Sequence, residues 1–157
     1  EDFSRMVDIN LKGSWNSINA VAPSMKAQKY GKIVNIASVC GIMGFGSFAA
    51  YCATKAAIIM MTKSLTMELA PHNININAIG PGNTATPINE YIRTDPAYAN
   101  VLADIIASTP SGKAYSSVED IANVALFLAS DAARAMHGSF VLADEGYSSG
   151  ADFSTTK

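Results

Sequence analysis

The chain has 157 residues, with 11 basic and 13 acidic side chains and a formal net charge of -2. Hydrophobic residues make up 49% and charged residues 15%, which excludes a disordered chain and a basic nucleic-acid surface. The length suits one domain, and the two cysteines, Cys40 and Cys52, are too few for a disulfide scaffold and fit a reducing, cytoplasmic compartment.

An amphipathic helix is predicted over 3–29, where Phe3, Met6, Val7, Leu11, Trp15, Ile18 and Val21 recur at three-to-four spacing. Pro23 is expected to kink this helix or to start a new turn. Gly31 stops it, and a short strand follows over Lys32 to Ala37. The run from Ile33 to Thr54 carries no charge, yet Gly41, Gly44 and Gly46 with Asn35, Ser38 and Ser47 exclude a membrane span. That run reads as a buried strand, a glycine-rich loop over Ser38 to Phe48, and the start of a helix over Ala49 to Leu69 that Pro71 ends.

Asn73 to Ile79 alternates with period two and reads as a strand with both faces partly covered. Gly80, Pro81 and Gly82 break the chain. A long excursion follows to Ser116, with a helix over Pro96 to Ala107, the kind of segment that covers a site. Ser117 and Asp120 have the spacing of a capping box and open an apolar helix through Leu128. Gly138 precedes a last strand, Ser139 to Ala143, and 151–157 is a polar tail.

Strands alternating with helices predict a parallel sheet with crossover helices, whose following loops share one edge. Three loops should therefore converge: Ser38 to Phe48, Gly80 to Ser116, and Asp144 to Gly150. Ligands bind at that edge in open α/β sheets.

Tyr51 and Lys55 stand four apart on one helix, so both side chains share a face. A free tyrosine has a pKa near 10, and a neighbouring ammonium favours the phenolate, moving the group toward useful acid–base chemistry. Ser38, thirteen residues before Tyr51 at a strand end, could polarise a carbonyl while Tyr51 moves the proton. Asn10 could hold a water that extends the proton route through Lys55.

Asn10, Ser38, the Tyr51-to-Lys55 motif and the turn from Pro81 to Thr86 occur in order and at spacings that resemble the short-chain dehydrogenase/reductase family. The resemblance runs from about Phe3 to Gly146. It implies an α/β, Rossmann-type doubly wound parallel sheet, of which this chain holds the second half, about three strands with crossover helices. It also implies hydride transfer between NAD or NADP and a small ketone, secondary alcohol or 3-oxoacyl compound. Carried over, Tyr51 is the acid/base, Lys55 lowers its pKa and binds the nicotinamide ribose, Ser38 orients the substrate oxygen, and Asn10 supports the relay. Pro81 and Gly82 bring backbone close to the nicotinamide, Thr84 offers backbone contacts to its carboxamide, and Thr86 helps to hold the cofactor. A homodimer or homotetramer is a further implication, with no nucleic-acid or membrane partner.

The family's glycine fingerprint for the dinucleotide is absent from this chain. Gly41, Gly44 and Gly46 have a different spacing, and no acid ends the next strand, so they do not replace it. On this reading residues 1–150 are the catalytic half of a dehydrogenase domain, with a substrate loop over 84–116. Two other readings are an epimerase or dehydratase that shares the Tyr/Lys pair, and a fragment that works only within a larger fold. Cys52 reads as a small buried hydrophobe. His72 and His137 lack metal-ligand spacing, so no metal is expected. Met60, Met61 and Met67 fit core or subunit packing, and Lys26, Lys29 and Lys32 a solvated surface.

Overall fold

The computed structural model describes residues 2–150; the polar tail over 151–157 lies outside them. The first helical rod is built of α1 (Phe3–Met6), a π-helical segment (Val7–Lys12) and α2 (Gly13–Gln28). In the π segment the Gly13 amide donates to the Asp8 carbonyl, five residues back, a rare geometry that often marks a working site. Asp2 caps the rod, accepting from the Ser4 amide at 3.0 Å. Pro23 does not end the helix: α2 runs on to Gln28. Pro23 and Asn19, whose carbonyl loses its i+4 donor, are both exposed, so water can satisfy that carbonyl.

Strand β1 (Gly31–Ile36) leads through a short turn, Val39–Gly41, to α3 (Ala49–Leu69) and then β2 (Ile74–Pro81). The long excursion holds two helices, α4 (Glu90–Thr94) and α5 (Ala99–Ser108), where one was predicted. The break lies at Asp95, whose carboxylate caps the turn Pro96–Tyr98 by accepting from the Ala97 amide at 2.9 Å. Helix α6 (Val118–Ala129) opens on the predicted box: Ser117 Oγ accepts from the Asp120 amide, and Asp120 Oδ2 from the Ser117 amide. Strand β3 (Phe140–Ala143) completes the described elements.

The sheet is parallel throughout, in the order β1-β2-β3. Gly31 pairs with Ile74 and Ile36 with Ile79, while Ala78 faces Phe140 and Pro81 faces Ala143. Alternate residues of β2 point to opposite layers. Ile74 and Ile76 pack with Ile18, Leu65 and Leu69 of α2 and α3, and Ala78 with Ile58 and Ile59. On the other face Ile79 packs with Leu128 of α6 and Ala133. Helices thus cover both faces, the doubly wound arrangement expected. Each fully buried Ile contributes about 1.5–3 kcal/mol. Among the described residues no helix is long and apolar enough to cross a membrane.

The asparagines of β2 are the departure from expectation. Every residue from Ile74 to Gly80 is buried, rather than partly covered. Asn75 Nδ2 donates to the carbonyls of Arg134 (3.0 Å) and Met136 (2.8 Å), and its Oδ1 accepts from Lys32 Nζ at 2.8 Å. Asn77 donates to the same Met136 carbonyl at 2.9 Å and accepts from the Ser139 amide at 2.9 Å. The two amides therefore fasten the connection between α6 and β3 to the central strand. Lys32, expected on a solvated surface, has a side chain only 10% exposed and lies 3.6 Å from Asp131. Asn75→Ala strips the Arg134 carbonyl of its donor, leaves the Met136 carbonyl only Asn77, and leaves the Lys32 ammonium only the more distant Asp131. Urea unfolding of the natural full-length polypeptide should show a loss of about 2–4 kcal/mol; a loss below about 1 kcal/mol would contradict this anchoring role.

Candidate active site

The three loops predicted to meet do so at the carboxyl ends of the strands. Phe45 stacks on Tyr147 with ring centroids 6.0 Å apart, joining the first loop to the third. The Ser111 amide donates to the Glu145 carbonyl at 3.2 Å, and Ser116 Oγ to Glu145 Oε1 at 3.3 Å, joining the second to the third. The Gly82 amide donates to the Ala143 carbonyl at 3.0 Å. A Cβ on Gly82 would come 2.8 Å from the Asp144 Cα, so this glycine is required where the ends of β2 and β3 meet. Pro81 is the last residue of β2 beside it.

Tyr51 and Lys55 lie in the first two turns of α3, facing the end of β1. Lys55 Nζ donates to the Ile36 carbonyl at 3.0 Å and stands 5.5 Å from the centre of the Tyr51 ring. One cation thus bridges the sheet edge and the phenol. Ser38, buried, follows two residues after Ile36, and its Oγ accepts from the Cys40 amide at 3.1 Å. The hydroxyl hydrogen of Ser38 is left for another acceptor.

Burial pushes the Tyr51 phenol above its ordinary value, and the nearby Ser38 hydroxyl pulls it partly back, although no formed hydrogen bond joins the two hydroxyls. Burial also lowers the Lys55 ammonium. In place of the expected lowering of Tyr51 by Lys55, the net shift is upward, with burial its largest cause. The phenol keeps its proton at neutral pH. Cys40 is raised by burial as well.

Asn10 joins the site through Thr54. Its Nδ2 donates to Thr54 Oγ1 at 3.1 Å, and Thr54 Oγ1 donates to the Tyr51 carbonyl at 2.8 Å. The Asn10 carbonyl accepts from Ser14 Oγ at 2.7 Å, inside the π-helical segment. Asn10 therefore steadies the turn that carries Tyr51. A cleft of about 580 Å³ lies on this side, lined by Asp2, Arg5, Met6, Ile9, Asn10 and Tyr51, away from Ser38 and Lys55.

Thr84 pairs with Ser116 in a short parallel bridge, and Thr86 precedes the turn Pro87–Asn89. Asn89 and Arg93, which the sequence reading passed over, hold this stretch; the Thr86-to-Asn89 spacing of a capping box was the available signal. Gly41, Gly44 and Gly46 form no cradle at a helix start. Gly41 packs against α3, where a Cβ would lie 3.0 Å from the Lys55 carbonyl carbon and oxygen, while Gly44 and Gly46 have nothing within 4 Å. Among the described residues no group of three His, Cys, Asp or Glu could hold a metal ion.

The donor set fits the nicotinamide end of a dinucleotide. Lys55 keeps two N–H groups after its bond to Ile36, and the Thr84 amide has no protein partner among the described residues. Comparison with known proteins shows the family. Residues 1–148 match the family model described as enoyl-(acyl carrier protein) reductase, and the chain belongs to the short-chain dehydrogenase/reductase family. It is 37% identical over 146 residues to the 3-oxoacyl-[acyl-carrier-protein] reductase FabG of Rickettsia felis, covering 93% of this chain and 58% of that protein. It is 38% identical over 148 residues to the NAD-dependent glycerol dehydrogenase of Listeria innocua, covering 94% and 56%.

Among solved structures, the gluconate 5-dehydrogenase of Burkholderia cenocepacia in complex with NADP and tartrate superposes with a TM-score of 0.87. The identity is 33%, over 96% of this chain and 57% of that one. A 4-hydroxyisoleucine dehydrogenase mutant complexed with NADH and succinate gives a TM-score of 0.89 at 33% identity, covering 96% and 60%. The chain thus spans less than two thirds of the length of these relatives.

The packing of the Ser38 turn on α3 can be tested at its glycine. Gly41→Ala should cost about 1–3 kcal/mol of stability in the natural full-length polypeptide, the range of overpacking. Gly44→Ala should stay within about 0.5 kcal/mol. Equal effects in chemical denaturation would contradict the contact.

Proposed function

We propose that this chain carries the catalytic half of an NAD(P)-dependent oxidoreductase interconverting a ketone and a secondary alcohol, with Tyr51 as the acid/base. The observation that carries this reading is the gathering of the Tyr51 phenol, the Lys55 ammonium and the Ser38 hydroxyl at the carboxyl edge of the sheet. When bound, the dinucleotide supplies or accepts the hydride. In the reducing direction Tyr51 gives its proton to the carbonyl oxygen as charge develops there, and Ser38 donates a hydrogen bond to the same oxygen. In the oxidising direction the Tyr51 phenolate takes the hydroxyl proton.

Burial keeps Tyr51 protonated at neutral pH, which suits it to act as the acid. Lys55 offers its two remaining N–H groups to the nicotinamide ribose, while its charge favours the phenolate whenever the proton leaves. Pro81 and Gly82 set the height of the backbone at the nicotinamide, Thr84 offers its amide to the carboxamide, and Thr86 steadies the following turn. Asn10 supports the proton route by fixing Thr54 and, through it, Tyr51.

The substrate loop favours an apolar body. Ile88 is 83% exposed and Tyr91 50%, while Tyr91 and Tyr98 meet edge to face at 4.9 Å. A 3-oxoacyl compound or comparable ketone suits that surface better than a polyol. Relatives solved with NADP and with NADH make either nucleotide a fitting partner. The exposed Phe3, Ile9, Trp15, Met60 and Met67 on the first rod and α3 suit a homodimer or homotetramer working in the cytoplasm.

In the natural full-length polypeptide, Tyr51→Phe should lower kcat for ketone reduction by roughly 10²–10⁴-fold, the usual weight of a positioned acid. Nucleotide affinity by calorimetry and thermal midpoint should stay close to wild type. Undiminished turnover in this variant would refute the assignment.

A further inference from the structure

Five of the eight backbone N–H and C=O groups over 83–86 have protein partners among the described residues. Ser116 takes one side: its amide donates to the Asn83 carbonyl at 2.9 Å, and its carbonyl accepts from the Ala85 amide at 2.9 Å. The opposite side is held by two side chains of the excursion. Asn89 Nδ2 donates to the Thr84 carbonyl at 2.8 Å, and Asn89 Oδ1 accepts from the Thr86 amide at 3.1 Å. Arg93 Nη2 donates to the Thr86 carbonyl at 3.0 Å, and Arg93 Nε to Asn89 Oδ1 at 3.3 Å. The guanidinium also lies 5.8 Å from the centre of the Tyr115 ring, next to Ser116. Arg93 thus ties both walls of the strip together.

Two donors are left over among the described residues: the Asn83 amide on the Ser116 side and the Thr84 amide on the opposite side. The Thr84 amide points away from Ser116 and has no protein partner among the described residues, while the Thr84 carbonyl beside it is already occupied. We infer that Asn89 and Arg93 are positioning residues: they fix the 84–86 backbone so that the Thr84 N–H stands ready as a single hydrogen-bond donor to the nicotinamide carboxamide oxygen. This rests on the dinucleotide reading above. A strip held on both sides loses little entropy when it binds, so the donor acts at nearly its full strength. A hydrogen bond of about 1 kcal/mol corresponds to roughly fivefold in affinity, and disorder in the strip adds to it. Arg93 is better suited than lysine here, since its fork serves Thr86 and Asn89 at once.

The test uses ligands with and without the nicotinamide. In the natural full-length polypeptide, Asn89→Ala and Arg93→Ala should weaken NAD binding in calorimetry by roughly five- to tenfold. They should leave ADP-ribose, which has no nicotinamide ring, within about twofold of wild type. For a protein that binds NADP, NADP and 2′-phospho-ADP-ribose take their places. Arg93→Lys keeps one donor for the Thr86 carbonyl and should give a smaller loss, confined again to the nicotinamide ligand; it serves if an alanine variant does not fold. Equal weakening of both ligands, or of neither, would overturn the positioning role while leaving the dinucleotide reading intact. Failure of the wild-type protein to bind either ligand would instead remove the dinucleotide reading, and this inference with it.

Discussion

The bond from Lys55 to the Ile36 carbonyl is the constraint on which the site depends. It fastens the start of α3 to the end of β1, so that a helix residue and a strand-end residue, Tyr51 and Ser38, share one small space. The cation that makes this bond stands 5.5 Å from the Tyr51 ring. A cation in that position favours negative charge on the phenol. Burial opposes this by disfavouring charge on both groups, raising Tyr51 and lowering Lys55. The phenol that results is protonated at rest, with a cation beside it for the moment its proton departs.

Much of the surrounding fold exists to hold that space. The paired asparagines of β2 fasten the α6–β3 connection, and with it the third loop, whose Tyr147 stacks on Phe45 of the first. Gly41 lets the Ser38 turn lie directly on the Lys55 backbone, and Gly82 lets the ends of β2 and β3 close. Asn10, within a π-helical turn of the first rod, reaches Thr54 and braces the helix from behind. Ser38, at the end of β1, and Tyr51 and Lys55, on α3, are thereby held together by packing from several sides.

The sheet and the helices beside it were legible in the amino-acid pattern. Period two over 73–79 and the Ser117–Asp120 box identified β2 and the start of α6, because both signals are local. The Tyr51–Lys55 face was readable for the same reason: four residues on a helix fix it. What stayed hidden depends on contacts between distant parts of the chain. Asn75 and Asn77 look like the polar face of a half-exposed strand until the carbonyls over 134–136 come to cover them. Lys32 looks solvated until Asn75 accepts from it. The Asn10 partner Thr54 lies 44 residues away, beyond any local spacing. The direction of the Tyr51 shift was also unreadable, since spacing gives the neighbouring charge but not the depth of burial.

The pH dependence of kcat/KM for alcohol oxidation, compared between the wild-type full-length polypeptide and its Lys55→Met variant, tests the pairing of ammonium and phenol most directly. On the proposed mechanism oxidation needs the Tyr51 phenolate, so its rate should climb with pH toward a plateau. Loss of the cation makes the phenolate harder to form, and the midpoint of that climb should move to higher pH by about half a unit or more. A midpoint that stays in place, or moves to lower pH, would contradict the account.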